Sequence, residues 1–188
     1  VNAGTIGVDN LNIANSAGTN GSHTLGSGES ISTGNETIGN SGTGTFTQTG
    51  GTNTVSNDLN IGNNSGSSGT YNLSAGTNTV SNSLVLGFSS GSNGTFNLSG
   101  TGNLDSSYVF VGREDTGIFT QTGGTHSVSN DLNIGINSGS SGTYNLSSGT
   151  NSVSNNLNIG IQSGSSGTYN LSGGTNTVSN SLVLGFSS

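Results

Sequence analysis

The sequence contains no cysteine, proline, methionine, tryptophan or lysine, and Arg113 is its single cation against eight carboxylates. The lack of thiols excludes disulfides and cysteine-ligated metal sites, and it suits a secreted protein. A formal net charge of −7 leaves no basic surface to neutralise phosphates, which argues against a nucleic-acid partner. Because no apolar run approaches about 18 residues, we expect no membrane insertion.

Glycine, serine, threonine and asparagine dominate what is present: 35 of the 188 residues are glycine, and only 26% are apolar. Such a composition is typical of disordered segments, but here the apolar residues recur in an internal repeat of about 23–25 residues. Each repeat unit begins at a glycine two places before an aromatic residue or histidine and has a second glycine at a fixed distance, as at Gly44 and Gly62. Residues 1–20 are expected to form a partial first rung, an N-terminal docking segment. The expected units are 21–43, 44–68, 69–93, 94–116, 117–141, 142–166 and 167–188.

Within each unit the apolar residues lie two apart in three short clusters, which Gly, Ser and Asn separate. A spacing of two is the period of a β-strand. A propeller blade needs about 40 residues, whereas each unit here has three strands in about 25 residues. The sequence therefore predicts an all-β fold, a β-solenoid of about seven rungs with three short strands per rung. We expect a right-handed parallel β-helix, since left-handed hexapeptide coils use only about 18 residues per turn.

The units that begin at Gly21 and Gly94 form one shorter subtype, and the interval from Gly21 to Gly94 defines a super-repeat. In this subtype Ile31 and Leu104 precede by one place the position where the other units carry valine. We interpret them as substitutes for that valine. Segmental duplication explains the near-identity of distant stretches.

Two columns of equivalent positions are predicted to stack through the array. The third position of each unit is aromatic, and this column is expected to be the strongest packing feature of the core. Its members are Phe46, Tyr71, Phe96, Phe119, Tyr144 and Tyr169. A column of asparagines is expected to form an amide ladder at turns, as a structural element rather than a ligand site. Its members are Asn57, Asn82, Asn130, Asn155 and Asn180.

Outward positions of the first strand carry threonine, asparagine and serine, as in Thr45, Thr47 and Thr49. Ice-binding solenoids present similar threonine arrays, and polysaccharide recognition is the other binding role for such a face. Ile118 interrupts the array, which favours a solvated face with high β-propensity.

Two apolar contacts are expected on the outside of the coil. Tyr108 and Phe110 alternate with inward residues, so they form either a lateral contact between rods or a patch that the next loop covers. At the two ends, neither terminal rung carries a charged or helical cap. The expected end-to-end contact residues are Leu11, Ile13, Leu182 and Leu184.

Catalysis finds little support in the sequence. The carboxylates do not recur as a pair at fixed positions, as a glycosidase requires, and His23 and His126 have no second ligand at metal spacing. We therefore expect no catalytic residue, no cofactor and no metal site.

The stretches GTFTQTGGTNTVSNDLNIG from Gly44 and GIFTQTGGTHSVSNDLNIG from Gly117 resemble the Gly/Thr/Asn-rich β-strand repeats of bacterial autotransporter passengers and related large cell-surface proteins. The resemblance covers most of the chain from Gly21 onward. It implies a secreted bacterial β-helix at the cell surface, in a family that serves adhesion, matrix building and surface display.

These observations together predict a non-enzymatic extracellular structural protein. Its partner is itself, through head-to-tail stacking into a fibre or through a longer array that forms an adhesin stalk. The alternative is a surface module that binds polysaccharide or ice, and a carbohydrate-active β-helix enzyme ranks third.

Overall fold

The structure is a computed structural model that describes residues 4–185. These residues form fifteen β-strands and no helix. The strands are β1 Thr5–Ile13, β2 Asn20–Leu25, β3 Ser30–Ile38, β4 Thr43–Val55, β5 Leu59–Ile61, β6 Ser68–Leu86, β7 Asn93–Leu98, β8 Asn103–Val111, β9 Thr116–Val128, β10 Leu132–Ile134, β11 Ser141–Val153, β12 Leu157–Ile159, β13 Ser166–Leu171, β14 Thr175–Val178 and β15 Leu182–Leu184.

Each strand pairs in parallel with the equivalent strand of the rung above or below. Along β4 and β6, Phe46 lies opposite Tyr71 and Val55 lies opposite Val80. The short third strands follow the same rule, with Leu59 of β5 opposite Leu84. The sheet therefore closes into a β-solenoid of about seven turns, which confirms the predicted fold class. The hand of the coil stays a prediction.

Inward side chains of the three strands fill the interior of the coil. The aromatic column comes from the first strand, a valine column from the second and Leu/Ile pairs from the third. Nearly all of these side chains are fully buried in the central rungs. A chain with few apolar residues can fold this way because each rung buries the same few side chains against its two neighbours.

A seam of glycines closes every rung. The second glycine of each unit has a positive φ, for example +71° at Gly62 and at Gly87, and the loop that follows it leaves the coil. The opening glycine of the next unit then packs directly against it. A Cβ on Gly69 would overlap the carbonyl oxygen of Ile38 and the backbone nitrogen of Gly62. This contact explains why both positions stay glycine from unit to unit although the loop between them changes in length.

The shorter rungs have a register that differs from the sequence-based alignment. Ile31 pairs with Asn53, and Leu104 pairs with Asn78 and His126, so both occupy the column that precedes the valines. Thr33 and Ser106 lie opposite the valines instead. The interpretation of Ile31 and Leu104 as valine substitutes was wrong. In both shorter rungs the corner between the first and second strands has one extra residue, and the corner between the second and third strands has one fewer. The two changes cancel, so the third strand is again in register with its neighbours.

Replacement of Gly69 by alanine is expected to destabilise the solenoid by on the order of 3 kcal/mol, because the new methyl group meets backbone atoms that cannot move aside. Gly7→Ala is the matched control, since a Cβ at Gly7 meets nothing within 4 Å. Chemical denaturation followed by circular dichroism measures both. Equal midpoints for the two variants would contradict the glycine seam.

Candidate functional site

The aromatic column lies at the centre of the coil. Its successive ring centroids, from Phe46 to Tyr169, are 4.5–5.0 Å apart, with interplanar angles of 4–15°. His23 extends the stack at 5.2 Å from Phe46, with a tilt of 50°. The rung spacing of a parallel sheet, about 4.8 Å, falls within the range of favourable ring stacking, so backbone pairing and ring stacking reinforce each other. The column is a core element and presents no surface in the central rungs.

The five asparagines of the expected ladder lie at the corner between the second and third strands. Only Asn180 donates to another member, Asn155, at 3.0 Å. Asn82 and Asn155 donate instead to the carboxylates of Asp58 and Asp131, each at 2.8 Å. Of the remaining two, Asn130 donates to the Ser107 hydroxyl, while Asn57 contributes backbone hydrogen bonds. The column is thus a mixed corner of amides and carboxylates.

Amide-to-amide bonds between rungs occur mainly in other columns. Each of these bonds joins equivalent residues of neighbouring rungs. Examples are Asn35 to Asn10, Asn97 to Asn72, Asn158 to Asn133 and Asn170 to Asn145, at 2.8–3.2 Å. Asn133 is buried and the other amides of these pairs are exposed or half-buried, and all of them stabilise the register.

Sequence reasoning missed a buried polar column on the second strand. Asn53, Asn78, His126 and Asn151 are fully buried inside the coil. A usable signal was present: each of these residues stands two places before an inward valine, so both side chains point to the same face of the strand.

The first buried cluster joins Glu36, Asn53, Tyr71 and Gln48. The Asn53 amide donates to the Glu36 carboxylate at 2.8 Å and to the Tyr71 hydroxyl at 3.2 Å. Tyr71 donates to Gln48 Oε1 at 2.6 Å, and the Gln48 amide donates to the Thr77 carbonyl at 2.9 Å. These bonds span three rungs and fix them in one register.

Glu36 is the unusual member because it stands in the leucine column of the third strand, between Leu11 and Leu59. Burial raises the pKa of the Glu36 carboxyl to about 7, and the hydrogen bond from Asn53 offsets part of that rise. Its Oε1 has no hydrogen-bond partner among the described residues. A carboxyl in this place is costly to ionise.

The second cluster lies one super-repeat later, where His126, Tyr144 and Gln121 are the counterparts of Asn53, Tyr71 and Gln48. Val109 takes the place of Glu36, and Ser106 is the additional polar member. Tyr144 donates its proton to Gln121 Oε1 at 2.8 Å, so the 2.9 Å contact with His126 has Nδ1 as donor. Nε2 then accepts from the Ser106 hydroxyl at 3.3 Å. Burial lowers the pKa of His126 to about 3, which keeps the ring neutral. The pair of Ser106 and His126 is fully enclosed in the core. It therefore stabilises the packing of the rungs, and the Ser106 hydroxyl is not accessible as a nucleophile.

The lateral patch is partly covered. The Arg113 guanidinium lies 4.7 Å from the Phe88 ring centroid and 5.8 Å from that of Phe110, which is half-buried. Val85, which pairs with Phe110, is buried. Tyr108 stays exposed. Of the two expected lateral contacts, the structure therefore leaves only Tyr108 open.

The two ends of the described coil expose apolar side chains. Leu171, Leu182 and Leu184 of the last rung are 56%, 58% and 66% exposed, whereas equivalent residues of inner rungs are buried. At the other end Leu11 is half-buried and Ile13 is buried, because the chain of the next rung packs against them. The expected end-to-end residues thus differ in accessibility.

Within residues 4–185, no three His, Asp or Glu side chains are grouped so that they could hold a metal ion. The same part of the chain has no helix long and apolar enough to cross a membrane.

Glu36→Gln is expected to stabilise the protein at pH 8 by about 3 kcal/mol and to change little at pH 4. The folded-state pKa of about 7 lies above the ordinary value of 4.5, so the carboxyl favours folding below pH 4.5 and this contribution is lost as the pH rises through 7. Unfolding free energies at pH 4 and pH 8 test this.

Glu114→Gln is the matched control because its side chain is exposed on a loop. A pH dependence that is the same for Glu36→Gln and the unaltered protein would show that folding does not raise the pKa of Glu36.

Comparisons of this chain with models of protein families, with curated proteins and with solved structures give no match. The β-solenoid fold thus follows from the structure, and the resemblance to autotransporter passengers stays a prediction.

Proposed function

We propose that this protein is a non-enzymatic, extracellular structural protein of the bacterial cell surface. Its β-solenoid stacks head to tail into a fibre or continues as an adhesin stalk. The partner in either case is another rung of the same kind, supplied by a second copy or by further repeats. The carrying observation is that each inner rung pairs in parallel register with the next and buries its apolar side chains against it.

The inner rungs supply the physical reason. Leu146 and Leu157 are buried because the next rung covers them, while Leu171 and Leu182, one rung later in the same columns, are exposed. Another rung would bury these side chains and would pair the open backbone groups. Such a contact joins unlike ends of two molecules, so it does not close and it generates a filament.

The resemblance to surface-protein repeats supports the location. Adhesion, matrix building and surface display all use extended, rigid rods, and a solenoid lengthens by about 4.8 Å with every rung. A low content of charged residues, with no lysine, leaves lateral faces of hydroxyls and amides.

Replacement of Leu182 and Leu184 by lysine is expected to abolish end-to-end assembly, because buried unpaired charges would face the joining rung. Electron microscopy of the unaltered chain should show filaments with a layer spacing of about 4.8 Å. Ile118→Lys, at another exposed apolar position but on the lateral face, serves as the control and should still assemble.

Single rods in the unaltered chain, with no filament at any concentration, would overturn the fibre. Filaments that persist in the double-lysine variant but disappear in Ile118→Lys would show that the rods associate sideways instead.

A second candidate, the binding of ice or polysaccharide, is favoured by one further observation. Outward residues of the second strands form paired threonine columns, with Thr52 and Thr54 opposite Thr77 and Thr79. The hydroxyls repeat about 4.8 Å along the rod and about 6.7 Å across it, a lattice that a regular surface can match. Asn103 and Asp105 interrupt the columns at one rung, and serine replaces threonine at others, as at Ser32, Ser127 and Ser152.

Thr79→Tyr is expected to remove any thermal hysteresis or glycan binding, since a bulky ring disrupts the flat array. Ser65→Tyr, on an exposed loop outside both the first-strand and second-strand faces, is the control. Freezing-point and glycan-array measurements check both variants. This role is excluded if the unaltered chain shows neither thermal hysteresis nor glycan binding.

A further inference from the structure

A cavity of about 150 Å³ lies at the N-terminal end of the coil. Ile6 and Ile31 of the second strands form one side of it, and His23 and Leu25 of β2 form another. Among the described residues β2 pairs with β4 alone, so its outer edge is open. The cavity and this edge together form a groove, which we call the N-terminal groove.

The super-repeat indicates what kind of element such a groove accepts. The counterpart of β2 is β7, where Gly94, Phe96 and Leu98 take the places of Gly21, His23 and Leu25. The beginning of β6, residues 68–73, covers β7 in parallel register, and its Tyr71 ring stacks on Phe96 at 4.9 Å. The place beside β7 is thus occupied by one extended strand, whose aromatic ring stacks on the aromatic ring of β7.

The interior of the coil also shows which residue that strand should carry two places after its aromatic. Gln48 accepts from the Tyr71 hydroxyl of the following rung, and Gln121 accepts from that of Tyr144. Where the next rung carries phenylalanine, which has no polar atom in its ring, this position is leucine. Leu73 thus precedes the rung of Phe96, and Leu98 precedes the rung of Phe119. Where leucine precedes a tyrosine, at Leu146, the hydroxyl of Tyr169 has no hydrogen-bond partner among the described residues.

His23, like Tyr71 and Tyr144, has a ring with a polar atom, so this rule predicts glutamine in the rung before it. Its Nε2 atom is buried and has no hydrogen-bond partner within residues 4–185, although the ring borders the cavity. A glutamine amide at the fifth position of a covering strand would reach the ring as Gln48 reaches Tyr71. The amide can either donate or accept, so it suits both tautomers of histidine.

We infer that the N-terminal groove is a binding site for an extended strand of this protein's own repeat type, with the pattern Gly-Thr-Phe-x-Gln, which adds in parallel to β2. Main-chain hydrogen bonds to the open edge provide affinity. The stacked ring and the glutamine provide selectivity, since the wrong residue leaves His23 unpaired. The last rung of this chain carries Leu171 in place of that glutamine, so by this rule it fits the groove less well than a Gly-Thr-Phe-x-Gln strand. The inference is therefore independent of the proposed fibre, and a free peptide binding to a single chain tests it.

The test uses the synthetic peptide of residues 43–51, TGTFTQTGG, titrated into the isotope-labelled full chain. Saturable one-to-one binding is expected, with chemical-shift changes at His23, Leu25 and Ile6. The same peptide with Gln48→Leu is expected to bind about tenfold more weakly, because the buried imidazole nitrogen loses its partner. In the chain variant His23→Phe the preference should reverse in favour of the leucine peptide.

Two substitutions at opposite ends locate the site. Ile6→Asp should abolish binding, whereas Leu171→Asp, at an exposed leucine of the last rung, should leave it unchanged. Peptide binding that Leu171→Asp removes and Ile6→Asp spares would place the site at the other end and overturn the inference. Failure of the peptide to bind, or an unchanged preference in His23→Phe, would overturn it as well. Peptide binding in the absence of filaments would refute only the proposed fibre and would support the N-terminal groove.

Discussion

Parallel hydrogen bonding between successive rungs is the constraint on which the rest of this structure depends. It sets a spacing of about 4.8 Å and places each residue on its equivalent in the next rung. Ring stacking, amide-to-amide bonds and the glycine seam all require that spacing. A chain with only 26% apolar residues can therefore build a continuous core, since every buried side chain is shared with two neighbouring rungs.

Perfect repetition has a weakness, because a slip by one rung would leave most contacts intact. The two buried polar clusters oppose such a slip. Gln48 and Tyr71, like Gln121 and Tyr144, make bonds that a displaced register would leave unpaired in a dry interior. The costly carboxyl of Glu36 lies in the same cluster and is tied to Asn53. We interpret these groups as determinants of register, with stability supplied mainly by the apolar columns and the backbone bonds.

The function we propose follows from the same periodicity. A solenoid has lateral faces, where backbone groups are already paired, and two ends, where they are not. Here the lateral faces carry hydroxyls and amides, and the apolar residues Phe88 and Phe110 lie under Arg113. Tyr108 and Ile118 are also exposed on the lateral faces, and Leu171, Leu182 and Leu184 are exposed on the last described rung. A further rung would cover these leucines and pair the strand edges, as the proposed fibre or stalk requires.

The sequence by itself determined the strand period, the rung length and the aromatic column, because these depend on spacing along one chain and on the special conformations of glycine. The tertiary structure alone decided the register at the corners, where an extra residue moves Ile31 and Leu104 out of the valine column. It also placed Asn53, His126 and Glu36 inside the core, against the ordinary preference of polar residues for the surface. That outcome depends on partners such as Tyr71 and Tyr144, which lie in the rung after Asn53 and His126 and become neighbours only once the chain has coiled.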